Sequence, residues 1–335
     1  MSRVDIISIA KALNLSKSTV SRAFKENSGI NLQTKARILA LAKELNYRPN
    51  HYASKMRGQR SNTIAVVVPE LANNYFTQII QGAETIAQEN GFHILIFVTG
   101  DDINKEREFI TSISNGKVDG VLMSVAGEGQ DHSYLHNIDF KRMPIVFFDR
   151  VYDDILLSRI ITDDYQSSFK ATAHLIAIGC TRIAYLVVNK EESIGKNRYL
   201  GYKDALASNN IPYCDELVVD CSNSYDENDI ILANLITKIR PDGIFASVER
   251  LAFSTYYVCN RLTVRIPEDI KIIAFSSLHI ASLLSPGLST ISQPAQEMGR
   301  EAAKLLLKHL SSPESVVDFE EIVLHSALEI RASSC

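Results

Sequence analysis

No apolar run in the 335 residues approaches the ~18–20 residues of a membrane-spanning helix. The first thirty residues carry charges throughout and contain no apolar stretch, so no secretory leader is expected either. Cysteine is sparse and odd in number, at Cys180, Cys214, Cys221, Cys259 and Cys335. With no C-x-x-C pair and no Cys/His cluster, neither a disulfide framework nor a zinc site is supported, and the expectation is reduced cysteines in a cytoplasmic protein. The common enzyme signatures are missing as well: no G-x-x-x-x-G-K-[ST], no G-x-G-x-x-G after a strand, no G-x-S-x-G and no H-E-x-x-H. Gly127-Glu128-Gly129 is a lone loop, and the histidines are dispersed. Asp163-Asp164 reads as a solvated or capping pair. No catalytic residue, metal or cofactor is expected.

What is present is a globular composition, 46% apolar and 22% charged, able to bury a sizeable core. The length suggests two or three domains. Net charge is only −4, but it is unevenly spread: residues 1–60 hold twelve Lys/Arg against three acids, and the rest holds 23 against 36. A basic head on an acidic body points the head at a polyanion.

Residues 1–47 read as three short helices. Asp5 is placed to cap the first, with Ile6, Ile9, Ala10 and Leu13 on one face. Asn14-Leu15 makes a turn. Ser16 caps a second helix, Lys17 to about Lys25, that buries Val20, Ala23 and Phe24. A third spans 32–45 with Ile38, Leu41, Ala42 and Leu45 inward. Two short helices joined by a tight turn form a helix-turn-helix. The second helix presents Lys17, Ser18, Ser21 and Arg22 outward, where the start of a helix in the major groove reaches base edges. Arg22 can bind guanine through two parallel hydrogen bonds.

Pro49 ends the third helix. Asn50 can cap a short segment, 51–57, that Gly58 terminates and that is too short to be stable alone. The residues of this head, Asp5-Ile6-Ile7-Ser8-Ile9-Ala10 through Leu15-Ser16-Lys17-Ser18-Thr19-Val20-Ser21-Arg22 and then Leu45-Asn46-Tyr47-Arg48-Pro49-Asn50, resemble the lactose-repressor (LacI/GalR) family of bacterial transcription regulators over about fifty positions. Ser8 departs from the family's usual Asp. The resemblance implies that Ser16, Lys17, Ser18, Ser21 and Arg22 read the major groove. It also implies that paired hinges carrying Asn50, Tyr52, Ala53, Lys55 and Met56 fold in the minor groove. Met56 stands where the family commonly wedges a Leu between base steps.

From Thr63 onward, apolar runs alternate with helical patterns: Ile64–Val68, Ile94–Val98, Val121–Val125, Ile145–Phe148, Ile183–Val188, Ile244–Val248 and Ile270–Phe275. Such runs between amphipathic helices indicate parallel sheets covered on both faces. A weak repeat accompanies them. Asp119-Gly120-Val121 recurs as Asp242-Gly243-Ile244, Ile64–Val68 resembles Ile183–Val187, and the helical segment from Gly82 resembles the one from Gly201. Two α/β units of like topology leave a cleft at the carboxyl ends of their strands.

The family resemblance extends over the chain and implies the same fold: an all-α helix-turn-helix head plus an α/β body of two parallel-sheet subdomains of periplasmic-binding-protein-like type. The expected division is a head at 1–47, a hinge at 48–60, a first subdomain at 61–161 and 293–320, and a second at 162–292 and 321–335. Crossovers are placed near Ile161–Thr162, Ile291–Gln293 and Asp318–Glu321, with a helix from Pro294 to Leu310 in the first unit and strands over Ile322–Ile330 in the second.

Candidate ligand residues follow strand ends: Asn73, Tyr75 and Phe76, then Ser124, then Asp149 and Arg150. Ser193 and Arg198 lie in a segment resembling the family's Ser-x(4)-Arg-x-x-Gly-Tyr, whose Arg lines the effector pocket. Glu249 and Ser276 complete the set. The family usually has Asn-Asp where this chain has Val248-Glu249, and Asp where it has Ser276. A cleft that keeps Arg150 and Arg198 but loses negative charge suits an acidic sugar or sugar phosphate.

The expected molecule is therefore a homodimeric regulator, a repressor by preference, with double-stranded operator DNA and a small sugar-like effector as partners. A protein co-repressor in place of the sugar, and more remotely an α/β enzyme with a DNA-binding head, are the alternatives. No heptad pattern follows the last apolar run, so no tetramerisation helix is expected.

Overall fold

The computed structural model describes residues 6–24, 29–45, 47, 61–127, 131–190, 193–311 and 319–335. The chain divides into two units, Met1–Arg60 and Ser61–Cys335.

The first unit holds α1 (Ile6–Ala12), α2 (Lys17–Ala23) and α3 (Leu32–Glu44). Their apolar residues meet in one small core, in which Ile9, Val20, Ala23 and Ile38 have no exposed surface. The turn after α1 is set by Asn14, which takes the left-handed conformation at φ 53°. Leu15 N donates to Ala10 O at 2.9 Å and Asn14 N to Lys11 O at 3.2 Å, satisfying carbonyls at the end of α1. Asparagine tolerates that conformation better than most residues. Leu45, expected inward, is 36% exposed, because α3 ends at Glu44 and the residue beyond no longer follows the helical face.

The second unit contains two six-stranded sheets. The first has the order β2-β1-β3-β4-β5-β11, with β1 Thr63–Val68, β2 His93–Val98, β3 Gly120–Met123, β4 Ile145–Phe148, β5 Arg159–Thr162 and β11 Glu321–Leu324. All its pairings are parallel. The second has the order β7-β6-β8-β9-β10-β12, with β6 Ile183–Val187, β7 Val218–Asp220, β8 Gly243–Ala246, β9 Lys271–Phe275, β10 Ser289–Ser292 and β12 Ala327–Glu329. It is parallel except for β12, which runs antiparallel to β10. Helices cover both faces of each sheet. In the first lobe, Asn74–Glu89 and Ala295–Ser311 share one face and Ile103–Ile113 lies on the other.

The sequence repeat has a physical basis. The Asp119 carboxylate accepts the backbone N–H groups of Ser61 and Asn62 at 2.6 and 2.7 Å. The Asp242 carboxylate accepts those of Thr181 and Arg182, both at 2.8 Å. Each aspartate thus fixes the entry to the first strand of its own lobe. Gly82 and Gly201 mark helix crossings: a Cβ at Gly82 would lie 2.0 Å from Gln296 O, and one at Gly201 would lie 2.2 Å from Tyr165 O.

One expected boundary is corrected. Glu321–Leu324 does not join the second lobe; it pairs in parallel with β5 as the edge of the first sheet, and Ile322 and Leu324 pack on the first lobe's core. The third crossing falls at His325-Ser326. There the buried Asp163 accepts Ser326 N at 2.8 Å and meets His325 Nδ1 at 3.1 Å. Two short strands in series look like one apolar stretch in sequence, and the carboxylate that holds the bend is far away along the chain.

Candidate functional site

In the first unit the structure places the proposed reading residues around one helix start. Ser16 Oγ accepts Thr19 N at 3.1 Å, capping α2. Ser16, Lys17, Ser18 and Arg22 are exposed, and Ser21 is half-buried. Val20 and Ala23 on the opposite side are in the core, so packing fixes which face is offered outward. Among the described residues no carboxylate pairs with Lys17 or Arg22. Asn50, Tyr52, Ala53, Lys55 and Met56 lie outside the described residues.

In the second unit the strand order reverses between β1 and β3 and between β6 and β8, which opens a crevice at the carboxyl ends of both sheets. Two adjoining cavities occupy it. The larger, about 280 Å³, is lined by Arg150, Arg198, Arg250, Asp101, Asn189 and Asn223 among others. The smaller, about 50 Å³, takes in Asn73, Tyr75, Phe76, Asp149, Glu249 and Ser276. Arg150 and Arg198 line both.

A hydrogen-bonded chain runs from one lobe to the other beneath these cavities. Tyr75 Oη donates to Asp149 Oδ1 at 3.0 Å. Gln293 Nε2 donates to Tyr75 Oη at 3.4 Å and to Thr162 Oγ1 at 3.0 Å. Thr162 Oγ1 donates to Asp164 Oδ2 at 3.0 Å. Arg198 Nε closes the series on Asp164 Oδ1 at 2.6 Å, while its Nη1 donates to Ser247 O at 2.6 Å. The Arg198 guanidinium also lies 3.7 Å from the centre of the Phe275 ring. Thr162 and Gln293 sit at two of the crossovers, so the chain passes through the connections between lobes.

Burial pushes the Asp149 carboxyl up to about 6, outweighing the nearby Arg150 and Arg198 charges. Asp149 also holds a left-handed backbone at φ 61°, an uncommon conformation for a non-glycine residue. Burial raises the Tyr75 phenol, reinforced by Asp149. Burial also raises Glu249, whose Oε2 accepts Ser276 Oγ at 2.9 Å. Burial opposes the charge of Arg198, but Asp164 and Asp149 more than compensate and its pKa is raised.

Of the ten ligand residues read from the sequence, Ser124 and Ser193 line neither cavity. Ser124 is fully buried behind the end of β3. Ser193 Oγ accepts Val151 N at 3.3 Å and so ties the lobes together. Asp163-Asp164 is not a solvated pair: both are buried, one holding the third crossover and the other Arg198. The reading missed Arg250, Asp101 and Asn189, although all three stand just past strand ends, as the chosen residues do. Among the described residues no cluster could hold a metal ion, and no helix is long and apolar enough to cross a membrane.

Comparison with known proteins agrees with this architecture. Residues 5–50 match the family model "Bacterial regulatory proteins, lacI family", and residues 172–334 match "Periplasmic binding protein-like domain". The chain is 28% identical over 300 residues to the HTH-type transcriptional regulator DegA of Bacillus subtilis, covering 89% of each chain. It is 26% identical to the ribose operon repressor of Haemophilus influenzae, covering 97% of each. Among solved structures, a LacI family transcriptional regulator from Enterococcus faecium with bound ribose superposes with a TM-score of 0.72 at 27% identity, over 82% of this chain and 98% of that one. The chain thus starts with a lacI-family DNA-binding domain and continues as a periplasmic-binding-protein-like body, the arrangement of the lacI-family transcriptional regulators that it matches.

Proposed function

We propose that the protein is a dimeric, cytoplasmic repressor whose operator affinity is switched by a sugar or acidic sugar derivative bound between its two lobes. The observation that carries this reading is the crevice itself, where each lobe contributes an arginine, Arg150 from the first and Arg198 from the second, to the same cavities. The ribose bound to the Enterococcus faecium relative supports a sugar-sized effector. A second copy would cover Leu95, Ile96 and Val98, which β2 leaves exposed at the edge of the first sheet.

In this reading residues 1–47 form the head and 48–60 the hinge. Two heads read the halves of a pseudo-palindrome in successive major grooves while paired hinges occupy the centre. Phosphate contacts from Lys/Arg give most of the affinity and its salt dependence, and base contacts from Lys17, Ser18, Ser21 and Arg22 give register. The effector, held by Asn73, Tyr75, Asp149, Arg150, Arg198 and Glu249, binds one inter-lobe angle better than another and so shifts the equilibrium without touching DNA.

Selection of bound fragments from random duplex DNA, with and without a panel of sugars and their acids and phosphates, tests the reading. The expected result is one enriched pseudo-palindrome whose recovery changes with a member of the panel. Enrichment of no sequence at physiological salt would refute the regulator's reading head.

A further inference from the structure

The three arginines of the larger cavity are not equivalent. Arg198 donates to the Asp164 carboxylate at 2.6 Å. Arg150 donates to the Asp101 carboxylate at 2.6 Å. Both charges are matched within their own lobe. Arg250, at the start of the Glu249–Arg261 helix, feels the adjacent Glu249 charge, but among the described residues its ion-pair partner is Glu70, 3.6 Å away and reached across the crevice from the loop after β1. Glu70 is itself partly engaged, accepting Asn73 Nδ2 at 3.3 Å. The Arg250 Nε is shut off from solvent and has no hydrogen-bond partner among the described residues. A buried donor left without an acceptor is destabilising, and a guanidinium offers a planar fork suited to an anion with two oxygens.

We propose that Arg250 is the specificity-determining residue of this cleft, selecting a small sugar that carries a carboxylate or phosphate, and that Glu70 stands in for that anion until the ligand displaces it. The inference rests on the cleft being the effector site and names which branch of ligand chemistry it takes. The cavity, about 280 Å³, lies just below the ~300–1,000 Å³ usual for ligand pockets, which fits a ligand no larger than a monosaccharide derivative. The exchange also ties charge to conformation. Glu70 belongs to the first lobe and Arg250 to the second, so an anion that takes over Arg250 releases a contact that bridges them. A neutral sugar could fill the same space but would leave the Glu70–Arg250 contact in place.

The test is isothermal titration of the full chain with glucose, glucuronate, glucose 6-phosphate, the matching ribose and galactose series, and inorganic phosphate. Wild type is compared with Arg250→Ala, Arg250→Gln and Glu70→Gln. In wild type a charged member should bind at least about tenfold more tightly than its neutral parent. Both Arg250 variants should lose that preference while keeping the parent's affinity, since Gln retains hydrogen-bonding capacity but not charge. Glu70→Gln should widen the preference by removing the competitor. A neutral sugar that binds as well as its charged forms, or a preference that survives in Arg250→Gln, would overturn the proposal. If no sugar binds but inorganic phosphate binds wild type and neither Arg250 variant, the assignment of Arg250 stands and the sugar reading of the cleft falls. If phosphate binding is absent or indifferent to Arg250, both fall.

Discussion

The two lobes share a strand order and differ at the same place in each. The helix that follows the second strand of each lobe carries a fully or almost fully buried polar residue as its fourth member: Glu106 in Ile103–Ile113, and Asn228 in Tyr225–Asn234. Both do a similar job, tying a loop at the carboxyl end of the sheet. Glu106 accepts Ala126 N at 2.6 Å, Tyr134 Oη at 2.6 Å and Tyr152 Oη at 2.9 Å. Asn228 accepts Ser222 N at 2.8 Å and donates to Ser222 O at 2.9 Å. The amide satisfies its loop without titrating. For the carboxyl, burial outweighs its hydrogen bonds and pushes it up to about 7. Next to the loop it holds, Gly127 lines the larger cavity. One lobe is therefore tied by a neutral clamp and the other by a clamp that carries a proton near neutrality.

The lobes also differ in how they hold their cleft arginines, and the largest expected effect lies there. Arg198 and Asp164 form an ion pair in which both side chains are 4% exposed. Arg198→Ala leaves Asp164 buried and uncompensated, for which the expected cost is ~3–5 kcal/mol. Urea denaturation measures it, and adding Asp164→Asn should recover most of the loss. In the first lobe Arg150, whose side chain is 13% exposed, pairs with an Asp101 that is 36% exposed, so Arg150→Ala leaves a carboxylate that water can reach and should cost less, ~1.5–3 kcal/mol, the worth of a hydrogen bond to a charged group. Equal costs at the two arginines would erase the contrast.

Next in size is the Glu106 clamp. The folded chain keeps a proton on Glu106 up to about 7, while the unfolded chain releases it near 4.5. Between those values the folded state binds more protons, so this group makes stability fall as pH rises through the window and contributes no further slope above it. The span corresponds to roughly 3 kcal/mol at most. Glu106→Gln removes the slope: its carbonyl can take Ala126 N–H and its amide can donate to the two hydroxyls. Thermal melts from pH 4.5 to 8 should show the Gln variant gaining on wild type as pH rises. Asn228→Asp should introduce a slope of the same sign in the second lobe, and matching pH profiles for wild type and Glu106→Gln would show that the two clamps do not differ.

The helix crossings should behave alike. Gly82→Ala and Gly201→Ala each place a Cβ against a backbone carbonyl, at 2.0 and 2.2 Å, and each should cost ~1–3 kcal/mol. A large effect in one lobe and none in the other would break the symmetry that the repeat implies. In the head, Arg22→Ala should cost ~1–3 kcal/mol on the operator and relax preference at one base pair. Uniform weakening on all sequences would make Arg22 a phosphate contact instead.

Much of this was legible in the sequence for definite reasons. Apolar parallel strands make continuous runs, and seven were visible, one of them the edge strand β2, whose Leu95, Ile96 and Val98 stay exposed. β5, β7 and β10 were not, because they begin or end in polar residues such as Arg159, Asp220, Ser289 and Ser292 and so make no continuous apolar run. Helix α2 was legible because its cap and its inward residues are close in sequence. The cleft was only partly so. Residues at strand ends could be found from the runs, but Asp164 and Gln293 act at crossovers that become neighbours only when the chain returns. Glu106 gave no signal at all: a glutamate on an amphipathic helix reads as solvent-facing until its helix is set against Tyr134 and Tyr152.

The account turns on energetic coupling between the crevice and the head. The most direct measurement is the fluorescence anisotropy of a labelled duplex carrying the selected site, titrated with protein at fixed salt with and without a ligand already shown by calorimetry to bind. A shift in operator affinity of ~5–150-fold, the range of ~1–3 kcal/mol of coupling, is predicted. Superimposable binding curves at saturating ligand would contradict it.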